Sequence, residues 1–257
     1  MLKHLLAAAA VVAAIPASAD TLRVATSADY PPWESVNSAG EMIGFDIEVG
    51  QAICAKIKAE CIWTNQAYDG LLPALEAGQY DMIISAVSIT DERKERIGFS
   101  SAYAQAPASF GASGNGFGDI ADRPGLQAAL AGKAVGVQGS SIFEGLVGNH
   151  FPDAIIKTYE RADQIVADLA IGRLDAALME TTSWASMSEA NAGANLSTFG
   201  PQLDFSEYSE LGEGIGLGFS KDDSDLKNRV DEAIAELLAD GTIAGISQTW
   251  FGFDATP

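Results

Sequence analysis

Short apolar strand patterns alternate with helical patterns along this chain, and that alternation limits the folds it can adopt. The helical pattern is clearest from Phe45, where apolar residues recur every fourth position at Val49, Ile53 and Ile57. The first series of predicted elements is a strand over 21–26, a helix from 45, a strand from 61, a helix from 68 to 78 and a strand over 81–88. A β-α-β-α-β order favours a parallel sheet covered by helices.

A second series begins after the glycine-rich stretch 111–118. Its predicted elements are a strand over 133–138, a helix over 141–151, a strand over 154–159, a helix over 162–173 and a strand over 174–180. Two successive series of this kind predict two α/β lobes.

The last part of the chain adds a strand pattern over 213–220, followed by two helical patterns. If this tail completes the first lobe, the lobes comprise 20–105 with 212–257 (lobe 1) and 106–211 (lobe 2). The chain then crosses between the lobes twice, and two crossing strands would form a hinge for closure around a ligand. Alternating glycines at 212, 214, 216 and 218 fit a crossing segment in a crowded place.

Residues 1–19 have the pattern of a secretory signal peptide. Lys3 precedes an apolar run over 5–15, and Ala17-Ser18-Ala19 matches the small-x-small cleavage pattern. The apolar run is too short to span a bilayer comfortably, and no later stretch of sequence is long enough. We therefore expect an exported, periplasmic protein that begins at Asp20 and is not embedded in a membrane.

The chain carries 15 basic and 35 acidic residues, a formal net charge of −20. Nucleic acids and anionic membranes bind basic surfaces, so we expect neither as a partner. The sequence also has no G-x-S-x-G, H-E-x-x-H or G-x-x-x-x-G-K motif, which argues against the common hydrolases, metalloproteases and P-loop enzymes. His150, beside Phe151-Pro152, is typical of a surface or helix end.

The two cysteines, Cys54 and Cys61, have six residues between them. In an oxidising compartment such a pair can form a disulfide that closes a small loop. A redox pair and half of a metal site are the alternatives. The spacing is not C-x-x-C, and His150 is the single histidine after the predicted signal peptide. We therefore predict a structural disulfide and no metal site.

Polar groups follow the apolar strand pattern over 81–88, at Ser88, Thr90 and Arg93. Ligands of open α/β sheets bind at such strand ends. One interpretation is a solvated helix start, in which Arg93 pairs with Glu92 or Glu95. The other is a clamp for a carboxylate, because a guanidinium can donate two parallel hydrogen bonds. Thr90 is expected to cap the helix that carries Arg93.

Six segments together resemble the periplasmic polar-amino-acid-binding proteins of ABC importers. They are YPPWES (30–35), GFDIEVGQAIC (44–54), the run over 68–100, VGVQGSS (135–141), GRLDAALME (172–180) and DGTIAGISQTWFGFDATP (240–257). The resemblance covers nearly the whole chain after residue 19. It implies a type II periplasmic-binding-protein fold of the α/β class, with two lobes that are each a mixed sheet flanked by helices.

The same resemblance implies the function and the partners. The protein would bind a polar L-amino acid, with basic ones included, or a close derivative, and would deliver it to a membrane permease. No cofactor is implied, and we expect a monomer. The cysteine spacing resembles that of the lysine/arginine/ornithine and histidine binders, whereas the closing WFGFDATP is similar to opine-binding relatives.

The resemblance assigns Arg93 to the ligand's α-carboxylate, with the hydroxyl of Ser88 and backbone groups of Ala86 beside it. Ser140 and Ser141 match hydroxyl positions of the second lobe. They lie where a helix should begin, and free N–H groups there favour an anion. Ordinary N-capping is the alternative role of these serines.

Glu180 matches the acid that receives the ligand's α-amino group, at the end of a predicted strand. Amino-acid-binding relatives usually have Asp at this place and opine binders generally lack the acid, so Glu180 favours a free α-amino group. The alternative is an exposed glutamate that caps the next segment. Tyr30 and Tyr68 match the aromatic pair that sandwiches the ligand's side chain. Trp33 is expected at the rim of the core.

The resemblance places Ser27 where the basic-amino-acid binders carry an aspartate for the ligand's distal cation. The sequence differs from those relatives at this position. Either Asp29 or Glu34 serves the distal group instead, or the ligand is not strongly basic. Asp29 is included among the predicted ligand-binding residues.

Two other functions stay open at this point. Cyclohexadienyl dehydratases resemble amino-acid-binding proteins and use a carboxylic acid to protonate a leaving hydroxyl, for which Glu180 would be the candidate. A sensory receptor domain with the same lobes would need a membrane tether, which we do not expect here.

Overall fold

The computed structural model describes residues 20–114, 116–191 and 193–257. The predicted signal peptide lies outside these residues. Within them, no helix is long and apolar enough to cross a membrane. The chain forms two lobes, each built on a five-stranded mixed sheet flanked by helices, and this confirms the predicted fold class.

The first lobe contains one five-stranded sheet and one small three-stranded sheet. Numbered along the whole chain, the strands of the large sheet are β1 (Thr21–Thr26), β5 (Glu60–Asn65), β6 (Met82–Ile83), β7 (Gly98–Phe99) and β13 (Gly218–Phe219). They lie in the order β5-β1-β6-β13-β7, and β13 runs antiparallel to both of its neighbours. The small sheet consists of β2 (Asp29–Tyr30), β3 (Glu34–Val36) and β4 (Met42–Ile43). The end of the chain thus adds a strand to the sheet that its beginning forms.

The helices of the first lobe cover its large sheet with apolar faces. They are α1 (Phe45–Lys56), α2 (Tyr68–Glu76), α3 (Asp91–Lys94), α8 (Ser224–Ala239) and α9 (Thr242–Phe251). Phe45, Val49 and Ile53 of α1 are fully buried, in agreement with their four-residue spacing. The helix ends at Lys56, so Ile57 lies just beyond it and is partly buried.

The second lobe contains the other five-stranded sheet and the remaining helices. Its strands are β8 (Ala108–Ser113), β9 (Ala134–Gln138), β10 (Ile155–Tyr159), β11 (Ala176–Glu180) and β12 (Leu196–Leu203), in the order β10-β9-β11-β8-β12. Its helices are α4 (Arg123–Leu130), α5 (Ile142–His150), α6 (Ala162–Ala170) and α7 (Thr181–Ala190). β9 is parallel to β10 and β11, whereas β8 is antiparallel to β11 and β12, which makes the sheet mixed.

Two chain segments connect the lobes, one between β7 and β8 and the other between β12 and β13. They contact each other, because Ile215 forms isolated bridges with Ala104 and with Ser88. Gly212 has a φ of +78°, and a Cβ there would lie 2.3 Å from the backbone oxygen of Ile89. The close approach of the second segment to Ile89 therefore requires glycine at this position.

Two predicted strands are longer than the strands that form. Of the pattern over 81–88 only β6 forms a strand, and in the pattern over 213–220 the strand is limited to β13. After β6 the chain turns at Ala86, which has a φ of +45°. This buried turn needs a hydrogen-bond partner of its own, and the N–H of Ala86 donates to Asp46 Oδ2 at 2.6 Å. The run is apolar because it is buried, although most of it lies outside the sheet.

A disulfide joins Cys54 of α1 to Cys61 of β5. This confirms the predicted structural bond. It links the helix to an edge strand of the first lobe, and neither cysteine lines the cleft between the lobes.

Removal of this disulfide is expected to lower the free energy of unfolding by about 2–3 kcal/mol, because the short loop no longer restricts the unfolded chain. For a chain of this size the melting temperature should fall by about 4–12 °C. Urea unfolding of the double variant Cys54→Ala/Cys61→Ala beside the native protein measures the effect. An unchanged unfolding free energy would show that the bond adds nothing to stability.

Candidate ligand-binding site

A pocket lies between the two lobes. Seven of the predicted ligand-binding residues line it: Asp29, Tyr30, Tyr68, Ala86, Ser88, Ser141 and Glu180. The other two, Arg93 and Ser140, line a second groove next to the pocket. Tyr68 and Ser141 line both the groove and the pocket. The fold therefore brings residues from positions 29 to 180 into one cleft.

Arg93 of α3 is buried between the lobes, with 7% of its surface exposed. Its guanidinium donates to the carbonyl of Ser88 at 3.0 Å, the hydroxyl of Tyr68 at 3.2 Å and the carbonyl of Ser140 at 3.1 Å. None of these acceptors is charged, and no carboxylate of the described residues lies within 4.0 Å, its helix neighbours included. A buried cation without a counter-charge is costly, so this arrangement favours an anionic ligand.

The chain before α3 orients Arg93. Thr90 accepts a hydrogen bond from the backbone N–H of Arg93 at 3.3 Å and caps the helix, as predicted. The turn at Ala86 places the carbonyl of Ser88 next to the guanidinium. Because the N–H of Ala86 is bonded to Asp46, it is not free to bind a ligand.

The N-terminus of α5 faces the pocket from the second lobe, since Ile142 and Phe143 line it. Ser141 does not cap this helix with its side chain, because its hydroxyl donates to the carbonyl of Gln138 at 2.6 Å. The first-turn N–H groups of α5 therefore have no side-chain cap, and they favour an anion in the pocket. Ser140 is exposed at the rim and contributes its carbonyl to Arg93.

Glu180 ends β11 and is buried in the cleft, opposite Tyr30 of β2. The hydroxyl of Tyr30 donates to the Glu180 carboxylate and accepts from the Glu180 backbone N–H at 3.0 Å. Burial raises the pKa of Glu180 to about 7. A nearby ammonium group would therefore stabilise the charged form of this carboxylate.

The aromatic residues of the first lobe have different surroundings. Tyr68 begins α2, and its hydroxyl accepts from Arg93. Trp33 is fully buried and packs edge-on against Phe45, with ring centroids 5.4 Å apart. Its indole N–H donates to Thr182 Oγ1 of the second lobe at 2.9 Å. Trp33 thus belongs to the core and also contacts the opposite lobe.

Asp29 and Ser27 both line the pocket and bond to each other. The hydroxyl of Ser27 donates to Asp29 Oδ1 at 2.9 Å. Asp29 Oδ2 accepts from the backbone N–H of Ala162, the first residue of α6 in the second lobe, also at 2.9 Å. Burial raises the pKa of Asp29 above its usual value. Both carboxylate oxygens of Asp29 are therefore bound by donors from the protein.

Glu34 of β3 also lines the pocket, and 1% of its surface is exposed. Ser85 donates to its Oε1 at 2.8 Å, whereas Oε2 receives no hydrogen bond from an N–H or hydroxyl group of the described residues and the Glu34 carboxyl is paired with that of Asp46. Burial, and next the negative charge of Asp46, raise the pKa of Glu34 well above its usual value. A buried carboxyl group at the pocket wall that lies against a second carboxyl group favours a ligand that carries a positive charge.

The sequence interpretation missed Ser85, which lines the pocket, and Asp46, which bonds to the pocket residue Ala86. Asp46 accepts from the N–H of Ala86 and, at 2.7 Å, from the hydroxyl of Tyr103, so both of its oxygens have donors. Burial raises the pKa of Asp46 to about 6. Since Asp46 is better supplied with donors than Glu34, Glu34 is the member of this pair that holds a proton when no cation is near.

The charges around the pocket are unequal. Among the described residues, the carboxyl groups of Asp29, Glu34 and Glu180 line the pocket, and the carboxyl group of Asp46 and the guanidinium of Arg93 are buried beside it. A ligand with one carboxylate and two cationic groups would compensate the guanidinium and two of the acids at once.

The chain belongs to the bacterial extracellular solute-binding proteins, family 3, whose sequence pattern matches residues 22–253. It is 34% identical over 240 residues to the L-arginine-binding protein of Pseudomonas aeruginosa, covering 91% of this chain and 88% of that protein. It is 33% identical to the lysine/arginine/ornithine-binding periplasmic protein of Escherichia coli, covering 99% of this chain and 95% of that protein.

Solved structures give the same picture of the fold. An ancestral arginine-binding protein bound to arginine aligns with a TM-score of 0.81 at 30% identity, covering 90% of this chain and 98% of that one. A periplasmic His/Glu/Gln/Arg/opine family-binding protein from Silicibacter pomeroyi, in complex with lysine, aligns with a TM-score of 0.79 at 30% identity, covering 92% of this chain and 99% of that one.

Proposed function

We propose that this protein is the periplasmic binding component of an ABC importer and that it binds a basic L-amino acid between its lobes. The observation that carries the proposal is the buried guanidinium of Arg93, which has uncharged partners and lies beside the pocket that Glu180 and Glu34 line. A zwitterion with a positively charged side chain supplies the missing counter-charge for each of these groups.

In this proposal the α-carboxylate of the ligand binds Arg93 and the N-terminus of α5. Charge-assisted hydrogen bonds of this kind are about twice as strong as neutral ones. The α-ammonium group binds Glu180, and its positive charge lowers the pKa of that carboxyl again. Closure of the lobes excludes water, which strengthens each of these interactions.

The side chain of the ligand is proposed to reach Glu34, because a positive charge there would stabilise the buried pair of carboxyl groups that Glu34 forms with Asp46. In this proposal Glu34 takes the place of the aspartate that is missing at Ser27, since both carboxylate oxygens of Asp29 already have donors from the protein. The relatives named for arginine and for lysine, arginine and ornithine support a basic side chain. Tyr30 and Tyr68 are proposed to flank it.

Closure is proposed to occur by rotation of the segment 106–211 against 20–105 with 212–257. The two segments that connect the sheets are the proposed hinge. Among the described residues (20–114, 116–191 and 193–257), they are the covalent links between the lobes. The closed monomer would then be the form that a membrane permease recognises.

We also propose that the protein is not an enzyme. Glu180 could serve as a general acid, because its pKa of about 7 leaves part of it protonated at neutral pH. A raised pKa is equally expected for a buried carboxyl group whose role is to bind a cation and that has none bound. Incubation with prephenate or arogenate distinguishes the two roles, and release of an aromatic product would establish catalysis.

A thermal-unfolding screen tests the proposed ligand. L-arginine, L-lysine and L-ornithine are expected to stabilise the protein, by about 4 kcal/mol at 1,000 times the dissociation constant. L-Citrulline lacks the distal charge, agmatine lacks the carboxylate and octopine has a substituted α-amino group, so each should stabilise less at equal concentration. Equal stabilisation by L-citrulline and L-arginine would contradict the role of Glu34, and no stabilisation by any amino acid would contradict the proposed function.

A further inference from the structure

We propose that Asp29 is a positioning residue that holds the lobes closed by capping helix α6 across the cleft, and that it does not bind the ligand's distal group. The proposal uses L-arginine as a probe and in that respect rests on the proposed function. The contact itself lies between two parts of the protein.

The carboxylate of Asp29 connects the two lobes directly. It lies on β2 of the first lobe, and its Oδ2 accepts from the backbone N–H of Ala162 in the second lobe at 2.9 Å. Its other oxygen is held by Ser27 at 2.9 Å, which fixes the side chain toward α6. Asp29 is 5% exposed, so water competes little for this bond.

Helix α6 has no side-chain cap from its own segment. Arg161 occupies the N-cap position and makes no side-chain hydrogen bond to the first turn. Its guanidinium binds Asp163 instead, at 3.1 and 2.9 Å. The first N–H groups of a helix lack partners within the helix, and a carboxylate is among the best groups to cap them. Asp29 supplies this cap from the opposite lobe.

A second hydrogen bond from the same part of the first lobe also crosses the cleft. Trp33 donates its indole N–H to Thr182 of α7 at 2.9 Å, also across the cleft. In the sequence, Asp29 and Trp33 thus lie on either side of Tyr30, which contacts Glu180 in the ligand site. Separation of the lobes would break the Asp29 and Trp33 bonds together, so both favour the closed conformation whether or not ligand is bound.

This arrangement distinguishes two roles of one acid. A residue that binds the distal cation should affect L-arginine more strongly than L-citrulline, its neutral analogue of nearly the same shape. A residue that stabilises closure should affect both ligands by the same factor, and chiefly through the dissociation rate. It should also change the lobe separation of the ligand-free protein.

The test compares Asp29→Ala, Asp29→Asn and the control Asp163→Ala, an exposed acid in the first turn of α6 that binds Arg161 within its own lobe. For Asp29→Ala we expect the dissociation rate of L-arginine to rise about fivefold or more, with little change in the association rate. Fluorescence transfer between labels on the two lobes should show a more open ligand-free population. Asp29→Asn keeps an acceptor and should lie between Asp29→Ala and the native protein, and Asp163→Ala should match the native protein.

Several outcomes would overturn the proposal. One is a loss of L-arginine affinity in Asp29→Ala that greatly exceeds the loss for L-citrulline, since Asp29 would then bind the cation. Another is an unchanged dissociation rate together with an unchanged lobe separation. If the native protein bound neither ligand, the proposed function would fail instead, and the ligand-free fluorescence measurement would still decide the role of Asp29. Melting curves of each variant exclude a simple folding defect.

Discussion

Replacement of Arg93 by alanine is expected to weaken the binding of L-arginine by about 10²–10⁴-fold. The guanidinium would make two charge-assisted hydrogen bonds to the α-carboxylate, and each such bond contributes about 1.5–3 kcal/mol. In the variant the carboxylate would be buried beside neutral groups, the carbonyls of Ser88 and Ser140 among them. Isothermal titration calorimetry with both proteins measures the change.

Arg96 provides a matched control for this experiment. It lies three residues further along the chain, is exposed and pairs with Glu76, where its Nε donates at 3.0 Å. Arg96→Ala is expected to bind L-arginine with the native affinity, because an exposed ion pair contributes little. Near-native affinity of Arg93→Ala would contradict the carboxylate clamp, whereas equal losses in both variants would indicate a general effect of the positive charge.

The second large effect is expected from pH, because Glu180 has a pKa of about 7 in the ligand-free protein. The ligand's ammonium group needs this carboxyl in its charged form. Below pH 7 the free protein carries a proton there that must leave on binding, so the affinity should fall by up to about tenfold per pH unit. Glu34, whose pKa is also raised, contributes in the same direction. Above pH 7 the dependence on Glu180 should level off.

Titration calorimetry between pH 5.5 and pH 8 measures this dependence. Glu180→Gln is expected to bind weakly and to lose the part of the pH dependence that belongs to this residue. Glu189→Gln removes an exposed acid of α7 and should retain both the affinity and the pH dependence of the native protein. An affinity that stays constant over this range would show that neither acid gives up a proton when the ligand binds.

The sequence predicted those parts of the fold that have a strong local pattern. Helix α1 was predicted from the spacing of Phe45, Val49 and Ile53, which are buried as expected. Strand β8 was missed because its sequence, ASFGAS, is small and has no alternation: five of its six residues are buried. Gly111 lies so close to the ring of Trp184 that a Cβ would be 2.5 Å from it. Such a strand is determined by its neighbours in the sheet and not by its own residues.

Strand β12 was missed for a related reason. Its sequence, LSTFGPQL, contains Gly200 and Pro201, which locally favour a turn. It nevertheless pairs antiparallel with β8, and its register shifts between Phe199 and Leu203, where these two residues lie. An irregular edge strand can accommodate both residue types, and this position at the edge of the sheet is not visible in the sequence.

The candidate site was predicted from side chains that carry its chemistry. The resemblance to a known family assigned Arg93, Tyr68 and Glu180 to one site, although Glu180 comes from a different segment than the other two. The contact of Asp29 with Ala162 had no such signal, because its donor is a backbone N–H on a helix of the other lobe. Asp46 was likewise interpreted as part of the helical pattern, since an acid in the first turn is common in helices.

The central claim is that Arg93 binds the carboxylate of an amino acid enclosed by both lobes. A crystal structure of the protein with L-arginine tests this most directly. The account predicts both carboxylate oxygens about 2.7–2.9 Å from nitrogen atoms of the Arg93 guanidinium, the α-ammonium group on Glu180 and the distal guanidinium on Glu34. A bound ligand whose carboxylate lies away from Arg93, or whose distal group points out of the cleft, would contradict it.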